Sequence, residues 1–178
     1  MIIALAGDAG SGKSTVARLV AKKLGYKHYS VGDFMREIAR KRGKTLLQIS
    51  KLAESDSTID EELDDMQITL GKEEDNFILD SRLGWHFIPK AFKVFLKVDM
   101  KEAAQRIFND KRHAESENET LAATLANIKK RKSSELKRYK EYYKLNPYDD
   151  KHYNLIIDTT GSTSQITADK LLEAVNKK

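Results

Sequence analysis

The sequence predicts an α/β fold, a five-stranded, mostly parallel sheet with helices on both faces and so three layers. Two observations predict it. Strand-like runs alternate along the 178-residue chain with segments of helical periodicity, the pattern of a parallel sheet built from strand–helix–strand units. The first run is apolar throughout, as a strand buried on both faces requires.

Residues 2–6 (IIALA) read as the first buried strand. Val16, Leu19, Val20 and Leu24 then recur at helical spacing over 13–24, and Gly25 stops that helix. A short strand follows at 27–30. Residues 33–71 read as two or three helices separated at Gly43 and near 55–57, with Gly71 ending the last. A second buried strand is expected at 76–80. The next, at 92–98, sets Phe92, Val94, Leu96 and Val98 on one face. Helices are expected at 100–112 and 118–144, the second polar with a thin stripe of Leu121, Leu125, Ile128, Leu136 and Tyr139. Residues 153–158 read as the last strand and 163–176 as the last helix. The two prolines, Pro89 and Pro147, fall in connecting segments, and no internal repeat is visible.

This length suits one domain with a full-sized core. Cysteine is absent, which excludes a disulfide framework and a thiolate metal site. The N-terminus lacks a basic n-region, and no apolar run approaches the roughly 18 residues that span a bilayer. A cytoplasmic monomer without a membrane partner is expected. Net charge is +5 with a pI of about 9.2, which favours anionic partners. The charge is uneven: residues 129–144 hold eight Lys or Arg against two Glu, whereas 54–65 are rich in acids and hold no base.

Residues 7–14, GDAGSGKS, match G-x-x-x-x-G-K-[ST] in full, with a strand before and a helix after. The glycines let successive N–H groups turn inward on phosphate oxygens, and the helix N-terminus adds partial positive charge. The expected triphosphate site is therefore Gly7, Asp8, Ala9, Gly10, Ser11, Gly12, Lys13, Ser14 and Thr15. Lys13 is placed to reach the β- and γ-phosphates and Ser14 to ligate Mg²⁺. A glycine-rich turn that binds nothing would not need the lysine, the hydroxyl and the flanking elements together.

Residues 78–87, ILDSRLGWHF, run a buried strand into Asp80, where such proteins keep a second magnesium-associated acid. The bland alternative is an Asp that caps a turn. Arg82 follows, a planar fork suited to phosphate rather than a mere surface ion pair. The segment SVGDFMR supplies Ser30 at a strand end, Asp33 as a helix cap and Arg36 one turn on. Two arginines from separate strand ends are thus expected to converge on one acceptor phosphate.

GDAGSGKS, SVGDFMRE, DSRLGW and the late RYKEYY…HYNLIIDT resemble, in order and over nearly the whole chain, the nucleoside-monophosphate kinases. The resemblance is closest to the compact archaeal-type cytidylate kinases. It implies a P-loop NTPase fold, a helical acceptor-binding insertion at 33–72 and a short lid at about 106–138. It implies transfer of the ATP γ-phosphoryl group to CMP or dCMP with Mg²⁺. By resemblance, Lys13 and Ser14 serve the phosphoryl donor, Asp80 serves the metal, and Arg36 and Arg82 hold the acceptor phosphate. Arg106, Arg131 and Arg138 match the lid arginines. Two departures stand out: Ser81 replaces a common glycine and Asn154 a common aspartate.

Arg131 and Arg138, about two helical turns apart, are expected on one face over the phosphates, with Glu135 between them to orient both. The remaining lysines of that run read as a solvated face. Asp60, Asp64 and Gln67 share one side of a helix and are candidates to read the acceptor base, since cytosine offers an amino donor beside acceptors. Trp85 reads as core. His28, His86, His113 and His152 show no metal or triad spacing. Two rival functions remain: the same chemistry on AMP, and a regulatory or RNA-binding P-loop protein using 129–144 as its contact, although no stable nucleic-acid complex is expected.

Overall fold

The computed structural model describes residues 1–53, 55–110 and 120–177. Among them, five strands form one sheet: β1 (Ile2–Gly7), β2 (Lys27–Ser30), β3 (Phe77–Asp80), β4 (Phe92–Lys97) and β5 (Leu155–Asp158). Every pairing is parallel and the order is β2-β3-β1-β4-β5. Phe77, Ile78 and Leu79 are wholly buried, which is why so short a run makes a stable central strand; each such side chain is worth about 1.5–3 kcal/mol. The helices are α1 (Lys13–Leu24), α2 (Val31–Lys41), α3 (Leu46–Leu52), α4 (Ser57–Glu73), α5 (Gly84–Phe87), α6 (Met100–Asn109), α7 (Leu121–Tyr143) and α8 (Ser164–Asn176). No helix among the described residues is long and apolar enough to cross a membrane.

The three layers follow from the alternation of side chains along each strand. Ile3, Leu5, Val94 and Leu96 pack under α1 and α8 with Val16, Val20 and Leu171. Ala4, Phe77, Leu79 and Phe95 pack on the opposite face with Trp85 and Tyr139. The segment between β2 and β3 has its own small core of Ile38, Ile49, Ile59 and Leu63, contributed by α2, α3 and α4. Because β1 is flanked by β3 on one side and β4 on the other, their carboxyl ends open a crevice where the chain order reverses, the usual ligand position in such sheets.

Three local differences from the sequence reading have physical causes. Gly71 does not end α4, which runs on to Glu73. Its missing side chain instead makes room for Ile88, because a Cβ there would stand 2.9 Å from Ile88 Cγ1. The single turn of α5 is too short to show a period. Strand β5 begins at Leu155, two residues late, but Asn154 still joins the ladder: its N–H donates to the Lys93 carbonyl (2.8 Å) and its side-chain Oδ1 accepts from the Lys93 N–H (2.9 Å). The expected helix ends at 112 and 118, and His113, lie outside the described residues.

Candidate active site

The loop 7–14 leaves β1 and re-enters α1 through glycines at positive φ. At Gly10 (φ 76°) an added Cβ would stand 2.8 Å from Ala103 Cα, so the loop presses directly on α6. Gly7 meets the Leu96 backbone of β4 in the same way. These approaches fix the curl. Inside it, Lys13 Nζ donates to the carbonyls of Gly7 and Asp8, both at 2.9 Å. Burial, reinforced by the nearby Arg82 cation, lowers the Lys13 ammonium to about 7. Ser11 Oγ donates to the Asp8 carbonyl at 2.8 Å, and the Thr15 N–H donates to Gly12 at 3.1 Å to start α1. Ala9 packs with α6 and α7.

Ser14 and Asp80, 66 positions apart, meet at the mouth of the loop, Ser14 Oγ donating to Asp80 Oδ2 at 2.5 Å. The parallel register explains it: Leu5 of β1 stands opposite Asp80 of β3, which places the end of β3 beside the loop. A hydroxyl and a carboxylate in contact are hard oxygen donors of the kind Mg²⁺ takes together with substrate phosphates. They fit that ion.

Arg82 enters the same space. Its Nη1 donates to the Gly7 carbonyl that also receives Lys13. Its Nε donates to Glu135 Oε2 of α7 at 2.9 Å, with both side chains 16% exposed. Tyr148 O–H donates to the same Oε2 at 2.8 Å. Burial is the largest single influence and opposes both charges, but Arg82, the Tyr148 hydroxyl and Arg131 together hold Glu135 down at about 2, and Glu135 with Tyr148 and Tyr139 keeps Arg82 charged. Trp85 is core, as expected: it stacks on His152 with centroids 4.0 Å apart, and its Nε1–H donates to the Arg82 carbonyl at 3.1 Å. A cavity of about 60 Å³ lies between Asp8, Ala9, Arg82, Arg131, Lys132 and Glu135.

Other candidates are placed differently from the sequence reading. Ser30, not Asp33, caps α2, its Oγ accepting from the Asp33 N–H at 3.3 Å. Asp33 pairs instead with Arg36, and both are exposed. Arg36 and Arg82 thus have separate partners here. Arg138 turns away from the loop to Asp60 of α4, with Nε 3.4 Å from Oδ2 and side chains 10% and 9% exposed. Neither atom makes a hydrogen bond. Burial pushes the Asp60 carboxyl up, outweighing the Arg138 guanidinium. Glu135 lies between Arg131 and Arg138 in sequence, but its bonded partner is Arg82; Arg131 lines the cavity.

Asp64 accepts from Tyr143 O–H, and burial raises it to about 6. Gln67, an expected base reader, has partners of its own within the protein. It is 2% exposed, its Oε1 accepts from Ser81 Oγ at 2.5 Å, and its Nε2 donates to the Leu63 carbonyl at 3.1 Å. Its amide oxygen is therefore taken by the loop after β3 and its nitrogen bonds its own helix, and Ser81 has a specific task where a glycine would have none. Arg106, expected among the acceptor-binding residues, also has partners within the protein. Its Nη2 donates to the carbonyls of Thr159 (2.7 Å) and Ser162 (3.1 Å) and pairs with Glu102, while Nη1 reaches Gly10 at 3.4 Å. It ties the phosphate loop to the turn before α8.

Sequence reasoning missed Tyr148 and Lys132. Lys132 Nζ lies 3.2 Å from Asp8 Oδ1 and over the Tyr148 ring at 4.2 Å from its centroid. Nothing local to either residue signals these contacts, which join segments 124 and 16 positions apart.

A profile described as the cytidylate kinase-like family matches residues 2–161. A cytidylate kinase of Natronomonas pharaonis is 39% identical over 161 residues, covering 89% of this chain and 81% of that protein. One from Halobacterium salinarum is 38% identical and covers 99% and 90%. Among solved structures, a shikimate kinase from Bacteroides thetaiotaomicron superposes with a TM-score of 0.68 over 99% of this chain and 98% of that one, at 15% identity. At that identity the likeness speaks to the fold alone.

Proposed function

The chain belongs to the cytidylate kinase-like family, and on that premise we propose that it transfers the γ-phosphoryl group of ATP to CMP or dCMP. The observation that carries this reading is the convergence at one strand-end crevice of Lys13, the Ser14–Asp80 oxygen pair and Arg82. Phosphoryl transfer asks for positioning and charge neutralisation rather than covalent help. The curled loop and Lys13 hold the donor's phosphates. Ser14 and Asp80 would hold Mg²⁺, which when bound neutralises charge on the β- and γ-oxygens.

Arg82 stands across the loop to bind the acceptor phosphate, and Arg36, released from Asp33, reaches the same group. An acceptor phosphate oxygen attacks the γ-phosphorus in line as the bridge to the β-phosphate breaks. That oxygen is already ionised at neutral pH, so no general base is required. Residues 33–72, with a core of their own, serve as the acceptor-binding insertion. In this reading Asp60 and Asp64 of that insertion read the base once the α7 side chains on them, Arg138 and Tyr143, move aside, and Ser30 sets the start of α2. In this reading Arg131 and Arg138 are lid arginines that come toward the transferring group, Arg138 leaving Asp60 to do so; residues 111–119 of the expected lid, about 106–138, lie outside the described residues.

Initial rates with ATP and Mg²⁺ over a panel of CMP, dCMP, UMP, AMP and GMP test this. We expect CMP and dCMP to be used at least tenfold better in kcat/KM than the rest. A preference for AMP would overturn the acceptor assignment while keeping the chemistry. Absence of turnover together with steeply salt-dependent RNA affinity would overturn both.

A further inference from the structure

The geometry points to Glu135 as the positioning residue that aims Arg82 at the acceptor phosphate, with Tyr148 holding Glu135 in place. This rests on the phosphotransfer reading above and adds to it a task for a residue that touches neither substrate. Arg82 is gripped at two points away from its phosphate-binding edge. Its carbonyl accepts from Trp85, itself stacked on His152. Its Nε donates to Glu135 Oε2 at 2.9 Å. A guanidinium is a rigid plane, so fixing its backbone and its Nε sets where the Nη groups point. They point at the phosphate loop, where Nη1 meets the Gly7 carbonyl.

A carbonyl is a neutral acceptor, and a phosphate oxygen is a charged one that binds the same N–H more strongly. The acceptor phosphate therefore takes over the Nη edge while the Nε bond to Glu135 persists. Tyr148 makes that bond directional, because its hydroxyl occupies the same Oε2 at 2.8 Å and leaves the carboxylate little freedom to swing. The charge is also needed. Lys13 and Arg82 share one carbonyl, Arg131 and Lys132 line the adjoining cavity, and while Asp8 pairs with Lys132, Glu135 is the carboxylate bonded to Arg82. Because Glu135 rides on α7 and Arg82 on the loop after β3, the docking of that helix sets the aim of the acceptor arginine.

The test is steady-state kinetics on whichever monophosphate the panel ranks first. Glu135→Ala should raise the acceptor KM at least tenfold and lower kcat at least tenfold, with the ATP KM within twofold. Glu135→Gln, which keeps an acceptor oxygen without the charge, should fall between it and wild type. Tyr148→Phe should move the same constants two- to fivefold. In an Arg82→Ala background, Glu135→Ala should add less than a twofold loss, since its effect runs through Arg82. Should Glu135→Ala fail to fold, Glu135→Gln in the same cycle supplies the coupling.

Equal losses in the wild-type and Arg82→Ala backgrounds, parallel rises in both KM values, or unchanged kinetics would each overturn the positioning role in an active enzyme. A wild-type protein inactive on every monophosphate would overturn the underlying reading as well.

Discussion

Lys13 carries the sharpest residue-scale prediction. Burial and the neighbouring Arg82 cation bring its ammonium to about 7, so near neutral pH a substantial fraction is uncharged. A bound triphosphate favours the charged form. ATP binding at pH 7.5 should therefore take up a fraction of a proton per site, and the uptake should vanish below about pH 6, where the amine is already protonated. Calorimetry in buffers of different ionisation enthalpy reads this directly, and Lys13→Met should abolish it; persistent uptake in that variant would assign the proton elsewhere. At this scale the motif residues were legible in the sequence, because their spacing is local. The partners of Arg82 were not. Glu135 lies four residues after Arg131 and three before Arg138, so helical geometry alone suggested those two, and the true partner is 53 positions away.

At the scale of elements, apolar runs located β1, β3 and β4, since burial on both faces demands continuous apolar residues, whereas the half-exposed edge strands β2 and β5 followed from the alternation with helices. Gly71 was misread for an equally physical reason: a glycine near a helix end looks the same whether it stops the helix or admits a neighbour. Here it admits Ile88, which is 2% exposed. Gly71→Ala should destabilise the protein by about 1–2 kcal/mol, the cost of displacing a packed, β-branched side chain less the better helix propensity of alanine. The midpoint of urea denaturation should fall accordingly. A rise would show that Ile88 yields freely and that α4 and α5 are loosely joined.

Over the whole molecule, α4 of the insertion and α7 are joined by a buried contact, Asp60 with Arg138, and a half-buried one, Asp64 with Tyr143. The first is a desolvated pair without hydrogen bonds between the two atoms that approach. Breaking such a pair from one side leaves a buried charge, whereas removing both charges does not. Asp60→Ala should therefore cost about 3–5 kcal/mol of stability, and the Asp60→Leu, Arg138→Met double variant clearly less. Denaturant unfolding of the three proteins checks the ordering; a double variant less stable than the single would make the pair a net stabiliser.

Spacing along the chain is enough to specify the layered parallel sheet, the triphosphate loop with its lysine and hydroxyl, and the acid and arginine at the end of β3. Each is written in spacing over a few residues, where local periodicity and backbone geometry decide the outcome. Only the tertiary structure decided which charges meet: that Arg82 answers to Glu135 and Tyr148, that Arg138 faces Asp60, that Gln67 braces Ser81, and that Arg106 closes the turn before α8. Those pairings depend on how the sheet register and helix docking bring distant segments together. An arginine carries the same five N–H groups wherever it stands in the chain, so its sequence position does not say which carboxylate it will find.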